Sequence, residues 1–156
     1  MKWIFIYFFL TVGCASQQTN DLYSSPSFMW PVKKGRLTQK FKAGSDKHQG
    51  IDVGAWNNAP IYAAGDGVVI YAGRDFTGYG NLIIIEHQND TWASFYAHLN
   101  KFKISEGARV QKGQLIGLMG RTGRATGVHL HFEIRYKRVP IDPLLYLPQE
   151  VFLTRR

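Results

Sequence analysis

The sequence predicts an all-β protein: a single compact antiparallel β-sheet domain with one short helical turn near its C-terminus. Three observations carry this reading. Short apolar runs rich in Val, Ile, Tyr and Phe recur between Pro31 and Pro148. Turn residues punctuate them, with sixteen glycines in the chain. No stretch keeps its apolar residues at helical spacing over a dozen positions.

Taken in order, Ile61–Ala64, Val68–Ala72, Leu82–His87, Trp92–His98, Leu115–Met119 and Leu130–Tyr136 read as strands. Their β-branched and aromatic side chains suit a pleated, half-buried surface. Asp66-Gly67, Gly78-Tyr79-Gly80, Asn89-Asp90 and Lys112-Gly113 supply the turns between them, since Gly, Asn and Asp tolerate the backbone angles that tight turns need. Asp142 to Leu147 predicts the helical turn. Asp142 serves as its cap, and Pro143 takes the first position, where a missing N–H leaves no bond unmade.

A chain of 156 residues supports one domain with a real core, and not two. Its start has a different character. Met1-Lys2 is a positive opening, and Trp3 to Val12 is apolar except for Thr11. That run is too short to span a bilayer but suits the core of a signal peptide. Leu10-Thr11-Val12-Gly13-Cys14 resembles the lipobox of bacterial lipoproteins, with Thr11 where leucine is usual. The expected organisation is therefore a signal peptide over 1–13, a lipidated Cys14 opening a polar tether over 14–30, a domain over 31–148 and a tail over 149–156. Cys14 is the only cysteine, so no intramolecular disulfide is available and stability must come from packing. Ala15 after the cysteine resembles lipoproteins sorted to an outer membrane. The expected location is the cell envelope, at the periplasmic face of that membrane.

The formal charge is +8, or about +7 once the single lysine of residues 1–13 is removed. An exported basic protein meets anionic wall polymers or lipid headgroups rather than nucleic acid, while basic residues spread along the chain without a dense run also suit plain solubility.

Five histidines carry the chemical signal: His48, His87, His98, His129 and His131. In His48-Gln49-Gly50-Ile51-Asp52 the two glycines nearby and the β-branched residues argue for extended chain. An extended segment turns His48, residue 50 and Asp52 the same way, and Gly50 leaves space between the polar pair. The helical HExxH zinc motif is excluded, because Gln49 stands where that mechanism needs its Glu base. In His129-Leu130-His131 strand alternation sets both imidazoles on one face, about 7 Å apart. One can then ligate a metal while the other addresses a metal-bound water. Zinc suits this collection, since catalytic zinc sites commonly take three N or O ligands and keep one position for water. His87, at a strand end, is assigned a surface or turn role, and Asp66 and Asp90 are turn residues. Trp56, Tyr71, Phe76, Tyr79 and Trp92 stand as groove or core aromatics without a role.

The HxxxD and HxH pairs, with Tyr96-Ala97-His98 between them, resemble the LytM/lysostaphin-type metallopeptidases of the M23 family. Tyr62 to Val69, Tyr79 to Ile85, Lys112 to Gly117 and Thr126 to Glu133 extend the resemblance over residues 31–148. It implies His48, Asp52 and His131 as zinc ligands and His129 as general base. It implies His98 as the residue that orients the water or stabilises the developing oxyanion. The implied function is a zinc-dependent endopeptidase hydrolysing peptide cross-links in peptidoglycan, with stem peptides as substrate and a membrane reached through Cys14. Gly78 to Ile85 and the tail from His131 to Pro148 are also similar to NlpD-type murein lipoproteins, some of which have lost zinc ligands and activate cell-wall amidases in division. The alternative is such a non-catalytic activator with an amidase as partner. The intact set of five polar residues favours catalysis.

Overall fold

The computed structural model describes residues 25–44, 48–88 and 90–149. The predicted signal peptide, Cys14, the first part of the tether and nearly all of the tail lie outside these residues. Ten strands are present among them: β1 (Arg36–Gln39), β2 (Ile51–Gly54), β3 (Pro60–Tyr62), β4 (Gly67–Gly73), β5 (Asn81–His87), β6 (Trp92–Phe102), β7 (Arg109–Val110), β8 (Leu115–Met119), β9 (His129–Tyr136) and β10 (Val139–Ile141). They form one sheet with the order β1-β2-β9-β6-β5-β4-β7. β10 pairs with β9, while β8 joins β3 to β6. Every pairing is antiparallel. The all-β expectation holds, and among the described residues the one helical element is the 3-10 turn Pro143–Leu145, where Leu144 N–H donates to the Asp142 carboxylate at 3.0 Å.

Alternation along the strands divides the sheet into two faces. One face carries the main core: Ile51 and Val53 of β2, Leu130, Phe132 and Ile134 of β9, Tyr96 of β6, and Ile83 and Ile85 of β5. The opposite face holds a smaller apolar cluster of Leu82, Ile84, Phe95 and Ala97. Asp52 and His131 also turn to this second face, between core-facing neighbours. Burying a Leu, Ile or Phe side chain stabilises by roughly 1.5–3 kcal/mol, so the pairing of β2 with β9 is fixed by its apolar side. Phe28 belongs to the main core as well. The packed domain therefore begins ahead of Pro31, inside the stretch whose polar composition had suggested tether.

His87 corrects one expectation. It is 1% exposed, packed edge-on against Phe28 with ring centroids 5.2 Å apart. Position 87 shares the core-facing side of β5 with Ile83 and Ile85, so alternation turns the imidazole inward. Its Nδ1–H donates to the Asp66 carbonyl at 2.6 Å, and Nε2 meets Ser94 Oγ at 2.8 Å. Ser94 bonds the Tyr96 hydroxyl, which accepts from Ala64 N–H at 2.7 Å. This chain satisfies four buried polar groups that an apolar interior would otherwise penalise.

Burial pushes the His87 pKa below its ordinary value of 6.5, against the opposing pull of the Asp66 carbonyl. Below pH 6.5 the unfolded chain binds the proton that the folded chain resists, so this contribution to stability is complete above that pH and fades as pH falls toward the folded pKa. The expected outcome is a drop in melting temperature between pH 7 and pH 5 that is smaller in His87→Gln than in the wild type. Thermal scans at the two pH values check it, and equal drops would exclude His87 as the titrating group.

Candidate metal centre

The centre is built where β2 meets β9. Antiparallel register places Asp52 directly opposite His131, and Gly54 opposite His129. Asp52 Oδ1 lies 2.8 Å from His131 Nδ1 and 3.0 Å from His48 Nε2. One nitrogen from each imidazole and one Asp52 oxygen all fall within 4.8 Å of one another. His48 comes from just before β2, held there by a bridge between residues 42 and 48. Its Nδ1–H donates to the Lys40 carbonyl at 3.0 Å. A neutral His48 therefore turns the lone pair of Nε2 toward the Asp52 carboxylate, an arrangement of two acceptors that a shared cation reconciles. Neutral imidazole and carboxylate donors are those zinc prefers. The residues fit the ion.

Two more imidazoles border this set. His129 donates Nδ1–H to the Gly127 carbonyl at 3.0 Å and holds Nε2 3.7 Å from Asp52 Oδ2. His98 donates Nδ1–H to the Thr122 carbonyl at 2.7 Å. The His98 and His129 rings stack edge-on with centroids 4.7 Å apart, and His98 lies 6.0 Å from the His131 ring. In the neutral state both present an unprotonated Nε2. All five residues named from the sequence are thus brought together.

His98 reaches the site by a break in alternation. Tyr96 and Leu99 both point into the core, which leaves two residues between them where alternation allows one. The pairing of β6 with β5 shifts register here, and His98 adopts φ 62°. A bulge of this kind re-aims a side chain, and a non-glycine residue in the left-handed region costs about 1–3 kcal/mol. The loop beneath offsets it: His98 N–H donates to the Tyr79 carbonyl at 2.9 Å, and Thr122 Oγ1–H donates to the Leu99 carbonyl at 2.9 Å.

The sequence reading missed what stands behind His131. Glu133 is completely buried, and its carboxylate accepts from His131 Nε2–H at 3.0 Å and from Arg135 Nε–H at 2.7 Å. The Tyr79 hydroxyl donates to it at 2.7 Å. Strand alternation from His131 to Glu133 to Arg135 was the signal available. Of the unassigned aromatics, Trp92 is core, Tyr79 belongs to this network, and Trp56 and Phe76 are exposed.

Environment separates the histidines. Burial depresses the His98 pKa to about 4, outweighing the Thr122 carbonyl, with the neighbouring imidazoles adding to the effect. Burial also works on His131, but hydrogen bonds to Asp52 and Glu133 overcome it and raise that pKa to about 9. The Asp52 and Glu133 carboxyls are lowered, since their burial is outweighed by the hydrogen bonds and positive charge around them.

Fold and site together define a class: the single-sheet peptidase folds that carry a His/Asp/His donor set on an open sheet face. The sequence matches peptidase family M23 over residues 46–143, and the chain belongs to that family. It is 42% identical to lipoprotein YgeR of Escherichia coli (strain K12) over 123 residues, 79% of this chain and 48% of that one. It is 44% identical to the murein hydrolase activator NlpD of the same organism over 123 residues, 79% of this chain and 32% of that protein. The chain therefore spans less than half the length of these relatives that it matches. Among solved structures, a zinc containing peptidase from Vibrio cholerae superposes with a TM-score of 0.67 at 35% identity, over 74% of this chain and 39% of that one.

Gly50 is where the two halves of the centre touch. A Cβ there would collide with the Phe132 carbonyl and come within 2.9 Å of Glu133 Cγ. Sequence alone suggested that this glycine spaced the polar pair; the structure adds that it lets β2 approach β9. Gly50→Ala is expected to destabilise by about 3 kcal/mol, in the range of overpacked interiors. Gly127→Ala, with no atom within 4 Å of its Cβ, should stay near the wild type. Urea unfolding of the two variants makes the comparison, and equal midpoints would show that the sheet can give way at Gly50.

Proposed function

We infer that this protein is a zinc-dependent endopeptidase acting on the peptide cross-links of peptidoglycan. The observation that carries the reading is the convergence of His48, Asp52 and His131 donors, beside two imidazoles whose Nε2 atoms are free of backbone bonds. Family membership and the murein-related name of a relative support the substrate class. A zinc ion held by His48, Asp52 and His131 would supply Lewis acidity for a scissile carbonyl and for the attacking water.

The remaining work falls to the chain's own residues. His129 Nε2 accepts a proton as the water oxygen bonds to the carbonyl carbon, and returns it to the leaving amine as the C–N bond breaks. One product gains the hydroxyl and the other the hydrogen. His98, with Nδ1–H committed to Thr122, offers Nε2 as an acceptor; of the two roles the resemblance implied, it suits orienting the water.

His131→Ala should lose both zinc and activity, because only two donors remain. His129→Ala should keep its zinc and lose about 10²–10⁴-fold in rate, the usual worth of general acid–base help. Metal content by mass spectrometry and digestion of purified peptidoglycan read the two properties separately. A His129→Ala protein without zinc would overturn the division of labour. Zinc-free wild type, prepared without chelators, would overturn the zinc reading.

The relative named as a murein hydrolase activator favours one other reading, stimulation of a cell-wall amidase. Peptidoglycan left uncut by the chain alone, but released faster when an amidase is added, would establish that reading in place of catalysis.

Attachment through Cys14 completes the proposal, supported by the apolar run before it and by the lipoprotein name of a relative. A tether of about 12 residues between Cys14 and the start of the packed domain, behaving as a flexible coil, would have a root-mean-square span of roughly 17–21 Å, enough to hold the domain near a surface. Cys14→Ser is expected to shift the protein from membrane to soluble fractions. Membrane retention with unchanged processing would sink the lipoprotein reading.

A further inference from the structure

Alternation along β9 carries His131, Glu133 and Arg135 onto one face, and they interact in that order. Glu133 has no exposure, and a carboxylate so placed persists only when its oxygens are fully engaged. One oxygen accepts from His131 Nε2–H at 3.0 Å and from the Tyr79 hydroxyl at 2.7 Å. The other accepts from Arg135 Nε–H at 2.7 Å. Arg135 is itself fixed, its guanidinium 4.0 Å above the Phe95 ring. Its Nη2 donates to Tyr79 Oη at 3.1 Å and to Gln49 Oε1 at 3.1 Å. Gln49 follows His48 in the chain, so the network joins the segment carrying one donor to the strand carrying another.

What the carboxylate contributes is a choice between two tautomers. An imidazole whose Nε2 proton is held by a carboxylate exposes its lone pair at Nδ1. Nδ1 is the His131 nitrogen turned to Asp52. With the proton on Nδ1 instead, His131 would donate to Asp52 and offer a metal nothing.

We propose that Glu133, held by Arg135 and Tyr79, is a positioning residue that keeps the His131 proton on Nε2 and its lone pair on Nδ1, and so sets the affinity of the centre for zinc. The role rests on the zinc reading above. Carboxylates behind ligating histidines typically account for about 10–100-fold in metal affinity, and the same range is expected here.

The test is competition for zinc between a chromophoric chelator and the purified full-length chain. Glu133→Gln should bind zinc about 10–100-fold more weakly while the circular dichroism of the zinc-free protein stays that of the wild type. Glu86→Gln, a carboxylate outside the network, should match the wild type. A folded Glu133→Gln that binds zinc as tightly as the wild type overturns this role and leaves the zinc reading intact. A wild type that binds no zinc overturns both. Should Glu133→Gln not fold, Tyr79→Phe keeps the ring and removes one hydrogen bond from the carboxylate. It should weaken binding by about fivefold, the worth of one such bond, and unchanged affinity in that variant also overturns the role.

Discussion

The pairing of Asp52 with His131 across β2 and β9 is the contact on which the rest of the site depends. Two residues seventy-nine positions apart face each other because the strands carrying them are antiparallel and in one register. A slip of β2 by one residue would send Asp52 to the other face. Nothing polar is needed to prevent it. Ile51, Val53, Leu130 and Phe132 alternate with the polar pair and are all fully buried, so a slip of β2 against β9 would drive Ile51 and Val53 out of the core and carry Asp52 away from His131. The hydrophobic effect, which has no directional preference, thus positions a directional site to within a hydrogen-bond length.

Once Asp52 is fixed, charge governs its surroundings. Asp52 and Glu133 are both buried carboxylates in the same region of the sheet face, with His131 between them and Arg135 behind the second. His98, a short distance away, has no carboxylate hydrogen bond; a backbone carbonyl and the more distant Asp52 charge are outweighed by its burial and the neighbouring imidazoles. The same side-chain type is therefore pulled upward at 131 and downward at 98. Two imidazoles on one sheet face are thus driven toward opposite protonation states by what surrounds each. Here that separation follows from the strand position of each histidine.

Much of this was legible in the sequence, and the parts that were not share a cause. Period-two alternation gave the β class, the long central strands and the shared face of His129 and His131, since each is a local property of the chain. It gave less for β1, β3, β7 and β10, which are short and whose pairing depends on distant partners. His87 was misplaced because a strand-end histidine is polar by composition, while its burial depends on Phe28, Asp66 and Ser94 meeting around it. His98 was named through resemblance, yet the bulge that aims it cannot be read from Tyr96-Ala97-His98-Leu99. Glu133 and Arg135 were within reach of the same alternation that joined His129 to His131. They were passed over because a charged strand residue ordinarily means a solvated face, and the loop bearing Tyr79 is what closes this one.

That loop ties the site to the fold. Gly80 and Gly123 both take positive φ, and a Cβ on either would strike the backbone of the other loop. Arg124 N–H donates to the Gly78 carbonyl at 2.9 Å, while Asn81 N–H donates to Thr122 Oγ1 at 3.0 Å. The same Thr122 carbonyl orients His98, and the same Tyr79 hydroxyl reaches Glu133. The two loops are therefore pinned to each other and to the residues that hold His98 and Glu133. The close glycine contacts leave neither loop room for a side chain where they meet, so the positions of Thr122 and Tyr79 are set together.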